Sequence, residues 1–270
     1  MKKNFMLLLT LILLLLCFAS LAQSFPAWDF PLDARIVEDR KGLLVLTNRK
    51  SLIDSDYVPA PLVNLKVKTT NRGMQLRKDA AEALEKMFSK AEQEGITLYA
   101  KSAYRSYKTQ STMYYNRLEK YNKDDGVVAY PGSSDHQTGL ACDILNYEWT
   151  RQEGMRPEFS LTNEAQWLKD NCAEFGFILR YPDGKQDITG IIFEPWHFRF
   201  VGLEAAQYIM QNELTLEELH EQMEEAKNQF EQKGGDFSAY CDALRALPPP
   251  IELDEGEDGD SEVSLFYTAS

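Results

Sequence analysis

An α+β architecture, with a central largely antiparallel sheet and flanking helices, is what this sequence predicts, and three observations lead there. Helical and strand-like patterns alternate along the chain without the regular βαβ rhythm of a parallel sheet. In the second half, strand-like runs over 177–181 and 191–200 are separated by the turn Pro182-Asp183-Gly184, a hairpin-like spacing. The material for a core is present: 44% of the 270 residues are hydrophobic and 11% aromatic, which excludes a stapled miniprotein and a chain disordered throughout.

The elements follow in order. Lys2 and Lys3 precede an apolar run from 5 to 19, and Ser20-Leu21-Ala22 ends in small residues where a signal peptidase reads, so 1–22 is predicted to be a signal peptide cut after Ala22. The run falls short of the about 20 residues that a membrane span needs. A retained single-helix anchor is therefore the lesser alternative; both readings export the domain, as a secreted, periplasmic or wall-associated protein touching membrane only through that segment. Cys17 has Leu16 before it, where a lipoprotein would carry a small residue.

Residues 23–40 read as an extended lead-in, 43–46 as a short strand, and 56–61 as a loop fixed by Pro59 and Pro61. Ala80, Ala81, Leu84, Met87, Phe88 and Ala91 recur at helical spacing and predict a helix over 77–94, stopped by Gly95. A strand over 96–100 then delivers Ala103-Tyr104-Arg105-Ser106, with Ser106 capping a helix that runs to Tyr121. A Gly-, Asp-, Ser- and Pro-rich loop over 122–138 leads into a strand over 139–145. Asn163 and Gln166 resemble a capping box for a helix that Gly176 ends.

Past Gly202 the chain changes character. Thr215 and Glu218 form a capping box ahead of Leu216, Leu219, Met223, Ala226 and Phe230, an amphipathic helix ending at Gly234 and Gly235, so 213–250 reads as helix and connector. Between Glu252 and Glu262 stand seven acidic residues and no basic one, and 251–270 reads as a disordered acidic tail. There is no internal repeat. The formal net charge of −13, or −15 once Lys2 and Lys3 are removed, repels phosphate backbones and argues against nucleic acid as a partner. Three cysteines remain after cleavage, Cys142, Cys172 and Cys241, an odd number that one chain cannot fully pair; for Cys142 and Cys172 small buried hydrophobes is the simpler reading.

Only three histidines are available for chemistry. His220 lies among Glu217, Glu218 and Glu221 on the late helix and reads as a solvated surface residue. His136 ends a loop and Asp143 lies on the strand that follows, with Gly139 between them, so an imidazole and a carboxylate can converge on one point. A nitrogen and an oxygen ligand make half of a zinc site, and strand alternation turns Cys142 away from it. His197, in Glu194-Pro195-Trp196-His197-Phe198-Arg199, supplies a third ligand and leaves a fourth position for water, as in catalytic rather than structural zinc sites. Glu194 is then the natural base. The bland alternatives are a Glu194–Arg199 ion pair with His197 as an ordinary sheet residue, and a structural His136 and Asp143.

The pattern Ser-x-His-x-x-Gly-x-Ala-x-Asp, met by Ser134, His136, Gly139, Ala141 and Asp143, followed by Glu-x-x-His at Glu194 and His197, resembles the zinc peptidases grouped with lysostaphin, the D-alanyl-D-alanine metallopeptidases and hedgehog. Within that group the sequence is most similar to VanY-type D-alanyl-D-alanine carboxypeptidases, through Ser102-Ala103-Tyr104-Arg105-Ser106 with Gln110, Gly176-Phe177-Ile178-Leu179-Arg180-Tyr181-Pro182, and the segment from Glu194 to Gly202. The resemblance covers 41–212. It implies one Zn²⁺ on the sheet held by His136, Asp143 and His197, with zinc-bound water as nucleophile and Glu194 as general base. It places Arg105 near the metal, where it steadies the oxyanion or holds substrate carboxylate, Ser134 on the substrate's terminal carboxylate, and Gln110 lining the cleft. Simpler readings are a strand-end ion pair for Arg105, a loop cap for Ser134 and a solvated helix residue for Gln110. Asp135 stands where Glu is commoner in the family and Cys142 where a small aliphatic is usual.

The activity implied is removal of the terminal D-alanine from peptidoglycan stem peptides or their precursors. An L,D-carboxypeptidase or an endopeptidase would share the whole mechanism. A non-catalytic wall-binding domain that keeps zinc for structure is the rival of another class, and a retained Glu194 speaks against it.

Overall fold

A computed structural model describes residues 25–39 and 42–247. The signal peptide assigned to 1–22 and the acidic tail assigned to 251–270 lie outside the described residues, and among the described residues no helix is long and apolar enough to cross a membrane. The lead-in contains a helix that the sequence reading left out: α1, Ala34–Glu38, started by Asp33, whose side chain accepts the Arg35 N–H. A two-stranded antiparallel sheet of β1, Leu62–Asn64, and β2, Gln75–Arg77, follows. The next element, α2, Lys78–Gln93, lies within a residue of its expected ends and buries all six of the apolar residues that predict it.

The main sheet has four strands, β3 (Tyr99–Ser102), β4 (Ala141–Leu145), β5 (Phe177–Leu179) and β6 (His197–Phe200). They are antiparallel throughout, in the order β3-β4-β6-β5. Between β3 and β4 run α3, Tyr107–Tyr121, whose first turn is closed by the Ser106 hydroxyl accepting from the Thr109 N–H, and a long loop ending in a 3₁₀ turn, Asp135–Thr138. Between β4 and β5 come α4, Tyr147–Thr150, and α5, Asn163–Asn171. The cap of α5 is Thr162, which accepts from the Ala165 N–H, so the expected Asn163–Gln166 pair sits one residue too late. The strand expected over 191–200 is only β6, because 191–196 is loop and a short helix α6, Gln186–Thr189, fills part of the hairpin connection.

Each face of the sheet carries its own core. Cys142, Ile144, Phe177, Leu179, Phe198 and Phe200 pack with α2, and with Leu168 and Cys172, on one side. Ile178, and Val201 just past β6, pack on the other with α1, with α7 (Leu203–Gln211) and with α8 (Leu216–Gln232), whose capping box forms as predicted. A last helix, α9, Phe237–Arg245, stands where only a connector was expected; Asp236 caps it, and Phe237 and Cys241 join the same core. Cys142, Cys172 and Cys241 are all free and buried. Leu84 is fully buried between α2 and the sheet, so Leu84→Ala should lower stability by about 2–5 kcal/mol, read as a shift in the urea unfolding midpoint.

The 43–46 segment is not a strand. Its carbonyls are taken by side chains instead: Arg199 Nη2 donates to Leu43 and Val45 at 2.9 and 2.8 Å, and His220 Nε2 to Leu44 at 2.6 Å. His220 is accordingly half-buried and engaged, not solvated.

Candidate active site on the central sheet

Strand register builds the site. Asp143 on β4 stands directly opposite His197 on β6, and Ser102 on β3 pairs with Asp143 from the other side, after a register irregularity between Ala100 and Ser102. Opposed residues on antiparallel strands bring their side chains within contact of one another. Because successive residues alternate faces, Asp143 and His197 share one face while Cys142 and Phe198 turn into the α2 core. His136 arrives from the 3₁₀ turn. Gly139 closes that turn at φ 69°, and a Cβ there would lie 3.0–3.3 Å from Pro59, Leu62 and Arg77, so only glycine lets the chain pass from the turn into β4.

One ligand atom each from His136, Asp143 and His197 lies within 4.8 Å of the others, and all three residues are buried. The Nδ1 of His136 is 2.7 Å from the Ala103 carbonyl, which holds the proton on that nitrogen and leaves Nε2, 3.3 Å from Asp143 Oδ2, as the free lone pair. On His197 it is Nδ1 that faces inward, 3.2 Å from Asp143 Oδ1 and 3.4 Å from Glu194 Oε2. Asp143 Oδ1 is buried and has no hydrogen-bond partner, despite the nearby ring. A buried orphan carboxylate oxygen with two convergent imidazoles is the donor set of a zinc ion, and the residues fit that metal.

The charges agree with a place for a cation. Burial disfavours a charged imidazole, but Asp143 and Glu194 outweigh it and push His197 up to about 9. Burial works against the Asp143 charge too, yet His136 and His197 hold its carboxyl far below the usual range. His136 is lowered by burial and by the Arg105 guanidinium. Glu194 is raised, chiefly by burial, which suits a group that must both take and return a proton.

Arg105 follows β3, and its backbone N–H donates to the His136 carbonyl at 3.1 Å. Its guanidinium is fixed by Gln110 Oε1 and Ser102 Oγ, each at 2.8 Å, with Nη2 3.9 Å from Asp143 Oδ2. Gln110, expected to line the cleft, is instead 0% exposed: it accepts from Arg105 and donates to the Ala129 carbonyl at 2.6 Å, tying α3 to the long loop. Ser134 is buried beside His136 and makes no side-chain cap to the turn it precedes, which removes its simplest structural role. Arg199 does not pair with Glu194; it bonds Asp135.

Residues 73–203 match the family described as VanY, D-alanyl-D-alanine carboxypeptidase. YodJ of Bacillus subtilis (strain 168), which its name assigns as a carboxypeptidase, is 40% identical over 197 residues, 69% of this chain and 70% of that protein. The chain belongs to the VanY family of D-alanyl-D-alanine carboxypeptidases. It is a peptidase, and so a hydrolase. The solved LD-carboxypeptidase LdcB superposes with a TM-score of 0.61 at 41% identity, over 65% of this chain and 84% of that one. A VanY D,D-pentapeptidase variant from a VanB-type resistance cassette, solved in complex with Zn(II), gives 0.55 at 32% identity over 65% and 97%. The mixed helical and antiparallel architecture of this VanY-family chain is the one that those neighbours share.

Beyond the residues given a role from the sequence, the surroundings of the trio contain Asp135, Arg180 and Thr47, all fully or almost fully buried. One signal for Arg180 was present: a lone charge inside the apolar run over 177–181 must find a buried partner.

Proposed function

We propose that this VanY-family peptidase is an exported zinc carboxypeptidase that removes the terminal D-alanine from peptidoglycan stem peptides or their precursors. The observation that carries this is the Glu194 carboxylate 3.4 Å from His197 Nδ1, beside a His-Asp-His trio whose Asp143 Oδ1 is buried without a partner. A structural zinc site has no use for a buried base at that position.

His136 Nε2, Asp143 and His197 Nδ1 would hold one Zn²⁺, which when bound supplies Lewis acidity, polarising a carbonyl and acidifying water. Glu194 takes a proton from the attacking water as the new C–O bond forms at the last peptide carbonyl. The C–N bond then breaks, and Glu194 returns that proton to the departing amine of D-alanine. Arg105, braced by Gln110 and Ser102, presents a fixed guanidinium to the developing oxyanion or to the substrate's free carboxylate. Ser134, buried next to His136, adds a hydroxyl for that carboxylate. A second reading, L,D-carboxypeptidase action on the tetrapeptide stem, is favoured by the similarity to LdcB.

The test is incubation of the zinc-loaded protein with a stem pentapeptide ending in D-Ala-D-Ala and, separately, with the tetrapeptide. Released D-alanine is followed by mass spectrometry. Loss of one alanine from the pentapeptide, abolished by a chelator and restored by Zn²⁺, is expected. Release from the tetrapeptide alone moves the enzyme to the L,D class, and release from neither overturns the carboxypeptidase reading.

A further inference from the structure

Behind the trio lies a closed cluster of four charges that this chemistry does not use. Asp135 accepts from Thr47 Oγ1, from Arg199 Nη1 at 2.6 Å and from Arg180 Nε at 2.8 Å. Arg180 in turn donates Nη1 and Nη2 to the two carboxylate oxygens of Glu217, both at 2.7 Å. Glu217 belongs to the first turn of α8, beyond the 73–203 segment that matches the family. Two carboxylates and two guanidiniums thus cancel one another in a dry interior.

Stability alone is a weak reason for such a cluster, since apolar residues of similar volume often serve as well or better. Its position supplies a stronger one. With Nδ1 of His197 turned toward Asp143 and Glu194, the far ring nitrogen Nε2 points at the cluster, 3.9 Å from Asp135 Oδ2. That nitrogen is buried and has no hydrogen-bond partner. When Nδ1 gives its lone pair to a metal, the ring must carry its proton on Nε2, and the nearby anion in front of that N–H is Asp135. At 3.9 Å the attraction is coulombic rather than a hydrogen bond, and both side chains are buried, where charges are screened less than at the surface.

We infer that Asp135 is a positioning residue for His197: its carboxylate, aimed by Arg180 and Arg199 and braced from α8 by Glu217, fixes the tautomer and orientation in which the ring offers Nδ1 to the metal. This rests on the zinc reading above. It also brings α8, which the sequence presents as an appendage, into the working site. Two guanidiniums keep Asp135 an acceptor, and the doubly bonded Glu217 keeps Arg180 from swinging away.

The experiment measures zinc affinity of the full chain by competition with a chromophoric chelator, for wild type, Asp135→Asn, Asp135→Glu and Glu217→Gln, with thermal unfolding of each metal-free protein alongside. Loss of an outer partner of a ligating histidine is expected to weaken binding by about 10–100-fold in Asp135→Asn, with recovery in Asp135→Glu and a smaller loss in Glu217→Gln. In zinc-loaded wild type, ¹⁵N spectra of labelled histidine should show the His197 proton on Nε2. Wild type that binds no zinc overturns the metal reading itself. Wild type that binds zinc while folded Asp135→Asn stays within about twofold of it overturns only the role of Asp135. If Asp135→Asn does not fold, Glu217→Gln decides: weakened zinc binding at an unchanged unfolding temperature supports the inference, and unchanged binding refutes it.

Discussion

Glu194→Ala is expected to lower the rate of D-alanine release by about 10²–10⁴-fold while zinc content and fold stay as in wild type. The backbone around Glu194 is anchored independently of its side chain, because its N–H donates to the Tyr181 carbonyl and its own carbonyl accepts from the His197 N–H, both at 3.1 Å. Truncation therefore removes a carboxylate without freeing the loop. The deleted group is not one of the three proposed metal ligands, and its burial makes it costly to keep charged, so the fold has little to lose. Steady-state release of D-alanine, with metal analysis and an unfolding curve on the same preparation, separates the outcomes. Turnover at the wild-type rate would remove Glu194 from the mechanism.

His136→Ala should lose zinc outright. One of three protein ligands disappears, and the expected drop in affinity exceeds the about 10–100-fold that an outer partner costs. The Ala103 carbonyl that holds His136 in its tautomer would be left facing a cavity, but the Arg105 N–H to His136 carbonyl bond is made by backbone and survives. Metal content after dialysis against a weak chelator is the direct measurement, and stoichiometric zinc in the variant would refute the assignment. Activity should fall with metal content and should not return at moderate zinc concentrations.

Much of this was legible in the sequence wherever local pattern decides. The spacing of Ala80, Leu84, Met87 and Ala91 fixes α2, Ser106 and the Thr215–Glu218 box mark helix starts, and His136, Asp143 and His197 sit on two short motifs whose loop-to-strand and strand contexts bring them together. What failed depends on tertiary partners that local pattern does not show. Leu43 to Leu46 has the composition of a strand, but its carbonyls are claimed by Arg199 and His220 from more than 150 residues away. Gln110 on a polar helix face looks solvated until Arg105 and Ala129 are known to flank it. The α9 helix is a different case, since Asp236 followed by Phe237, Tyr240, Cys241 and Leu244 is a cap and an apolar stripe that local pattern alone carries.

Because Asp143 and His197 meet as directly opposed residues on β4 and β6, the spacing of two of the proposed metal ligands is set by strand registration. A slip of one residue between these strands would do more than misalign hydrogen bonds. By the two-residue period of the pleat it would turn the slipped strand over, carrying either Asp143 or His197 into the α2 core and bringing Cys142 or Phe198 out in its place. The hydrophobic sorting that selects the native pairing therefore also guards the proposed centre: a chain with these strands misaligned has to place one of these two polar side chains in an apolar core. Length changes in the loops between the strands leave that check untouched, whereas a single insertion inside either strand defeats it.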